Sequence, residues 1–195
     1  MATLKDLQDL TLKFVNSYSS DGEVLPVSDN ADLLLLVNDY LNLAYRELAQ
    51  IDRIVATKDY VLTDGSFMPD KVRYKYTLPT DFLDIDKIEY TPTDGYYEIK
   101  VFEIRGNTLI IPYDYPITLV YFKLPDKLTL TTDVPLIHSE YHEYLAYYAA
   151  GKWLHQNGKQ ADGIDYLTLY EDGKRFINPI KRTGVRTIKS VRGMW

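Results

Sequence analysis

The hydrophobic period of this chain changes twice. Up to about residue 53, apolar residues recur three and four positions apart. From Val55 to Leu124 they often alternate, and after Pro135 the helical spacing returns. A strand turns successive side chains to opposite faces, whereas a helix returns to one face about every 3.6 residues, so neither pattern serves the other structure. The chain is therefore predicted to be α+β, with helices before and after an inserted antiparallel β-sheet or small sandwich, and not a series of βαβ units.

The first helix is expected over about 3–17, where Leu4, Leu7, Leu10 or Leu12, and Phe14 or Val15 recur at helical spacing. Thr3 followed by Asp6 approximates a capping box. The stretch SSDGEVLPVSDN, with Gly22 and Pro26, reads as a loop. A long helix capped by Ser28 or Asp29 is expected over about 29–53, spanning about 35 Å. Leu34, Val37, Leu41 and Leu48 line one of its faces, but Leu33, Leu36, Tyr40, Leu43 and Tyr45 extend the apolar surface well around the cylinder. Covering one sheet needs a stripe only about 100° wide. The excess fits a helix packed on two sides, with Tyr40 and Leu43 at a contact between subunits. It also fits a central helix inside a compact monomer.

Six β-branched and aromatic segments follow over about 55–124: VATKDYVLT, KVRYKYTLP, LDIDKIEYT, YYEIKVFEI, NTLIIP and ITLVYFKLP. Asp64-Gly65, Pro79 with Asp81, Asp94-Gly95, Gly106-Asn107, and Asp114 with Pro116 punctuate them as turns. Beyond Pro135, helices are expected over about 139–156 and 161–176, joined at Asn157-Gly158 into an αα-hairpin. Tyr141, Tyr144, Leu145, Tyr148, Ala149 and Leu154 should be buried on the first, and Ile164, Leu167, Tyr170 and Phe176 on the second. Residues 1–176 thus read as a single domain, and 177–195 as an extended basic arm.

Charge is divided sharply. Lys174, Arg175, Lys181, Arg182, Arg186, Lys189 and Arg192 stand in the last 22 residues with no acid among them, while all 28 acidic residues precede them. Ile177, Ile180, Val185, Ile188, Val191 and Trp195 are interleaved with these cations. Phosphate binding needs the cations alone, whereas a protein groove also uses apolar residues. The arm therefore fits docking on a protein, with a disordered tail or nucleic-acid contact as alternatives. Tyrosine is abundant, at 18 residues, and its large ring with a polar tip suits subunit contacts or a half-buried sheet core.

The chain has no cysteine, so neither disulfides nor thiolate sites are expected, which fits synthesis in a reducing cytoplasm. No apolar run approaches the roughly 20 residues of a membrane span, and MATLKDLQDL does not resemble a secretory signal. The one cluster worth testing for metal is His138, Glu140, His142 and Glu143, with His155 further on. His138 and His142 are spaced i, i+4, but Ser139 stands where the zinc-protease pattern has glutamate. No nucleophile elbow or phosphate-binding loop is present. Catalytic, cofactor and metal sites are all expected to be absent.

Three stretches carry a family resemblance: LLLLVNDYLNLAYRELAQ leading at once into strands; KYTLPTDFLDIDKIEY running through IRGNTLIIP to ITLVYFKLP; and DVPLIHSEYHEYLAYYAAGKWLHQNGKQADGIDYLTLYEDGKRF. Together they span about residues 30–176, and this order resembles the head-to-tail adaptor (connector, or head-completion) proteins of tailed phages. The resemblance implies a structural, non-enzymatic virion protein of the neck. It implies a homo-oligomeric ring, commonly of twelve subunits, between portal and tail, with DNA passing through its channel without specific binding. It also implies that the arm bearing Lys174, Arg175, Lys181, Arg182, Arg186, Lys189, Arg192 and Trp195 docks on the portal or on a neighbour. A tail terminator or tail-tube subunit, or less aptly a nucleic-acid-binding protein, are the alternatives.

Overall fold

The computed structural model describes residues 1–16, 31–70, 72–90, 97–112 and 114–177. It is α+β. Residues 1–54 and 124–177 build a helical unit, and Val55–Lys123 form a β unit inserted into it.

Among the described residues the helical unit has four α-helices: α1 (Leu4–Asn16), α2 (Ala31–Ile51), α3 (His142–Gln156) and α4 (Gln160–Phe176). A 3-10 turn over Ser139–Tyr141 leads into α3. The capping box at α1 forms as its sequence suggests. The Asp6 carboxylate accepts from the Thr3 N–H at 2.8 Å, and the Thr3 hydroxyl accepts from the Asp6 N–H at 3.2 Å. These bonds to Thr3 hold the Asp6 carboxyl below its ordinary pKa. Other free amides of α1 are answered from far along the chain, Leu4 N–H by the Asp133 carbonyl at 2.7 Å and Lys5 N–H by that of Thr131 at 3.1 Å.

Helix α3 packs against α1, α2 and α4. Leu4, Leu7, Val37, Leu41, Tyr45, Leu48, Leu145, Ala149 and Tyr170 form the centre of this core. The α3–α4 hairpin closes at Gly158, whose φ of 79° lies in the left-handed region glycine adopts without strain. The two helices meet backbone to backbone. A Cβ on Gly151 would come within 2.9 Å of the Gly163 carbonyl oxygen, and one on Gly163 within 2.8 Å of that of Gly151. This contact corrects the expected face of α4. Tyr170 is buried and Leu167 packs on the core, but Ile164 is 55% and Phe176 75% exposed.

Between the β unit and α3, residues 124–138 run without regular structure but are fastened to α2. The buried Asn42 side chain accepts from the Leu128 N–H at 2.7 Å and donates to the Leu128 carbonyl at 3.0 Å. The Tyr45 phenol accepts from Leu136 N–H at 2.9 Å, and the Asp52 carboxylate from His138 N–H at 2.7 Å. Three side chains on one helix thus take up the backbone groups of an extended segment.

The described residues of the β unit form eight antiparallel strands: β1 (Val55–Tyr60), β2 (Gly65–Phe67), β3 (Tyr74–Thr77), β4 (Phe82–Tyr90), β5 (Tyr97–Glu98), β6 (Glu103–Arg105), β7 (Thr108–Ile111) and β8 (Ile117–Lys123). They form two four-stranded sheets, ordered β1-β8-β4-β5 and β2-β3-β7-β6. The segment expected as one strand, YYEIKVFEI, divides into β5 and β6, which belong to different sheets, with Ile99 buried between them in sequence. Strand β2 was not foreseen. Its Gly65 lies directly beneath the Tyr74 and Tyr76 rings, where a Cβ would collide.

The core of this unit is rich in tyrosine. Tyr60 and Tyr76, one from each sheet, meet with ring centroids 4.9 Å apart, among Ile88, Leu109, Ile111 and Leu119. Each buried phenol finds an acceptor: Tyr60 the Thr77 carbonyl at 2.5 Å, Tyr76 that of Tyr115 at 2.7 Å, Tyr74 that of Leu62, and Tyr121 the Asp81 carboxylate at 3.0 Å. Burial pushes the Tyr60, Tyr76 and Tyr121 phenols up to about 12.

Candidate functional site

The histidine cluster does not converge. His142 is buried, its Nε2 at 3.1 Å from the Ile137 carbonyl and its Nδ1 accepting from the Ala2 N–H at 3.3 Å. Both ring nitrogens are thus used by backbone, which fixes the neutral tautomer protonated at Nε2. Burial, only partly offset by the bond to Ile137, lowers its pKa. His138 is exposed and lies 3.8 Å from Glu140. Among the described residues, no group of three or more His, Asp or Glu side chains is arranged to hold a metal ion. An open cleft of about 470 Å³ lies beside His142, lined by α1 residues Asp6, Asp9 and Lys13 with Glu143.

Among the described residues, the long helix α2 carries one exposed apolar surface. Val37, Leu41, Ala44 and Leu48 are fully buried on its inner face. On the outer face, Leu35 is 64% and Leu43 52% exposed, with Leu36 and Tyr40 half-buried beside them. Lys127 reaches Asp39 on this face at 2.9 Å, and Arg46 stands exposed one turn beyond Leu43. A second such surface among the described residues lies on α4. Asp165, Leu169, Asp172 and Phe176 follow one another at helical spacing, with Leu169 48% exposed and Phe176 more so. The sequence reading missed Leu35 and Leu169. A finer reading of the i, i+4, i+7 rows opposite each buried face would have found both.

The expected basic arm divides at the end of α4. Lys174 and Arg175 lie in the last turn of that helix. Lys174 bonds Glu47 of α2 at 2.5 Å and Glu171 at 3.1 Å, and the Tyr170 phenol donates to the same Glu47 at 2.9 Å. Burial raises the Glu47 pKa, but the bonds from Lys174 and Tyr170 outweigh it and hold the carboxyl below its ordinary value. Arg175 pairs with Asp172 at 3.1 Å. Lys181, Arg182, Arg186, Lys189, Arg192 and Trp195 lie outside the described residues.

No described helix is long and apolar enough to cross a membrane. The described residues thus build an α+β protein, a helical body with an inserted β unit and apolar rows exposed on α2 and α4. The family model for SU10 adaptor protein matches residues 2–188, and the chain belongs to that family. It is a structural phage adaptor protein, of a kind that works with other head and tail proteins of the virion. No curated protein matches the sequence.

Proposed function

We propose that this adaptor forms a homo-oligomeric ring, of twelve copies if it matches a portal of that symmetry, and sits in the neck between portal and tail. The channel of the ring passes DNA without reading it, and the C-terminal arm holds the ring to the portal or to the next subunit. The exposed row on α2 carries this reading. Leu35 and Leu43 face solvent on a helix whose other side is fully packed, and covering what remains exposed of each contributes about half of the ~1.5–3 kcal/mol of a whole leucine. Tyr40 and Leu43 are accordingly assigned to a contact between subunits.

Charge supports the arm's part. Its cations, Lys181 to Arg192, follow a body that carries every acidic residue of the chain. Opposite charge speeds encounter and sets orientation more than it raises affinity. Interleaved Ile and Val with terminal Trp195 would supply the apolar burial that retains the arm. Lys174 and Arg175 mark its root on α4.

Native mass spectrometry and electron microscopy of the purified protein, alone and with its portal protein, test this directly. A closed ring seated on the portal is expected, and a chain that removes residues 181–195 should stay folded yet fail to hold the portal. Truncated protein that forms portal complexes at full yield would refute the arm's role.

A further inference from the structure

The start of α1 is tied down by acceptors of two kinds. Leu4 and Lys5 donate to the backbone carbonyls of Asp133 and Thr131, which do not titrate. The residue ahead of them is held differently. The Ala2 N–H donates to Nδ1 of His142 at 3.3 Å, across 140 positions of sequence.

That acceptor exists in only one protonation state. A neutral imidazole has one accepting and one donating nitrogen, and an imidazolium has two donors. Nε2 lies 3.1 Å from the Ile137 carbonyl, so Nδ1 is the nitrogen that an added proton must take. Two N–H groups would then point at each other. Turning the ring over exchanges one N–H for the other and restores no acceptor, so Ala2 loses its partner.

The surroundings give the segment room to leave. Ala2 is half-buried and helps to line the open cleft beside His142, with Leu7, Leu10 and Ser139, while Met1 is exposed. The charged groups around the ring come from several elements. Across the cleft α1 presents Asp6, Asp9 and Lys13, and α3 presents Glu143. Asp6 is engaged by Thr3, and Glu143 accepts from the Tyr147 hydroxyl at 2.6 Å. Ahead of α3 stands His138, whose N–H is held by Asp52 of α2. The lining of the cleft takes no charged group from α4. His138 and the amino terminus oppose the imidazolium, as burial does, while the Ile137 and Pro135 carbonyls favour it. The rest of α1 does not depend on the ring. Leu4 and Leu7 are buried in the core of the helical unit and keep their backbone bonds whichever state His142 is in.

We propose that His142 is a proton-operated latch: neutral, it holds residues 1–3 against α3, and protonated, it releases them while the four helices stay packed. The latch goes beyond the adaptor's proposed place in the neck and does not depend on it.

Nuclear magnetic resonance of the labelled full-length chain tests this, titrated from about pH 8 to about pH 5. The Ala2 amide and methyl signals should move with the midpoint of the His142 ring, while the Leu41 and Leu145 methyls stay in place. His142→Gln keeps one acceptor and one donor but does not titrate, so Ala2 should stay fixed in that variant. At the acid end, Ala2 amide exchange, corrected for its intrinsic pH dependence, should be about tenfold faster in the native chain than in the variant. Three results would overturn the latch: Ala2 signals that hold still while His142 titrates, the same Ala2 shift in His142→Gln, or a ring that takes its proton only as the core methyls report unfolding. Should the variant fail to fold, the titration of the native chain decides by itself.

Discussion

At the scale of single residues, the polar groups that matter are those paired across long stretches of sequence. Asn42 gives both ends of its amide to Leu128, 86 positions away. Asn42→Leu keeps the size but leaves a buried N–H and carbonyl of Leu128 without partners, each costing about 1–3 kcal/mol. A loss of about 2–4 kcal/mol is expected, read from urea midpoints at unchanged m-value. His142 makes the fold sensitive to pH. Its folded pKa lies below the ordinary value near 6.5. Between those two values the unfolded chain binds a proton that the folded chain does not, so stability is full above about pH 6.5 and falls as the pH drops through that window. His142→Gln, which can keep one donor and one acceptor, should flatten this slope between about pH 7.5 and 5, as measured by thermal midpoints. Neither partner was legible in the sequence. The Thr3–Asp6 box was, because its spacing is local, whereas Asn42 and His142 declare nothing until the chain is closed.

At the scale of elements, period served well where packing follows hydrophobicity and failed where it follows size. Leucine spacing found most of the inner rows of α1 and α2, with Leu12 and Val15 resolving the alternatives left open on α1. But Leu33 and Tyr45, read as surplus apolar surface, are buried in the core, and Leu34, expected on the inner face of α2, is only half-buried. The packing face of α4 escaped leucine spacing, because its contact with α3 is made by Gly151, Gly163 and Gly173, residues that carry no apolar signal. In an exposed helix, Gly→Ala would stabilise by about 1 kcal/mol. Here a methyl on Gly163 meets the Gly151 carbonyl oxygen and the His155 amide nitrogen, at 2.8 and 2.9 Å, and backbone on both sides cannot yield as a side chain can. Gly163→Ala should therefore destabilise by about 1–3 kcal/mol, the usual cost of overpacking. Calorimetry showing a raised midpoint would mean that the hairpin opens freely. The division of YYEIKVFEI between two sheets was equally hidden, since alternation reports which residues turn inward but not which neighbour a strand takes.

At the scale of the whole molecule, the division of charge was visible in the sequence, but the structure alters what its cations do. Lys174, read at first as the start of the arm, is held by Glu47 and Glu171 and lies over the Tyr170 ring. Its loss should therefore act on the fold. Lys174→Met leaves Glu47 with the Tyr170 phenol alone, and a fall of about 1–3 kcal/mol is expected, the range for a charge-assisted bond that is partly buried. Arg182 and Arg186 lie beyond α4 and should behave in the opposite way. Arg182→Glu with Arg186→Glu should leave the thermal midpoint within about 1 °C, because cations that act by docking on another chain contribute little to the stability of the free subunit. It should instead slow association with the portal, and the deficit should be largest at low salt, where attraction acts over about 30 Å at 10 mM, and shrink above about 0.15 M, where the screening length is about 8 Å. Stopped-flow association at several salt concentrations separates the two classes of cation. The double charge swap should change the on-rate and its salt slope with an intact fold, whereas Lys174→Met should lower stability and leave that slope alone. An on-rate indifferent to the swap at every salt concentration would strip the arm of its steering role and leave Trp195 and its apolar neighbours as the only grip it has.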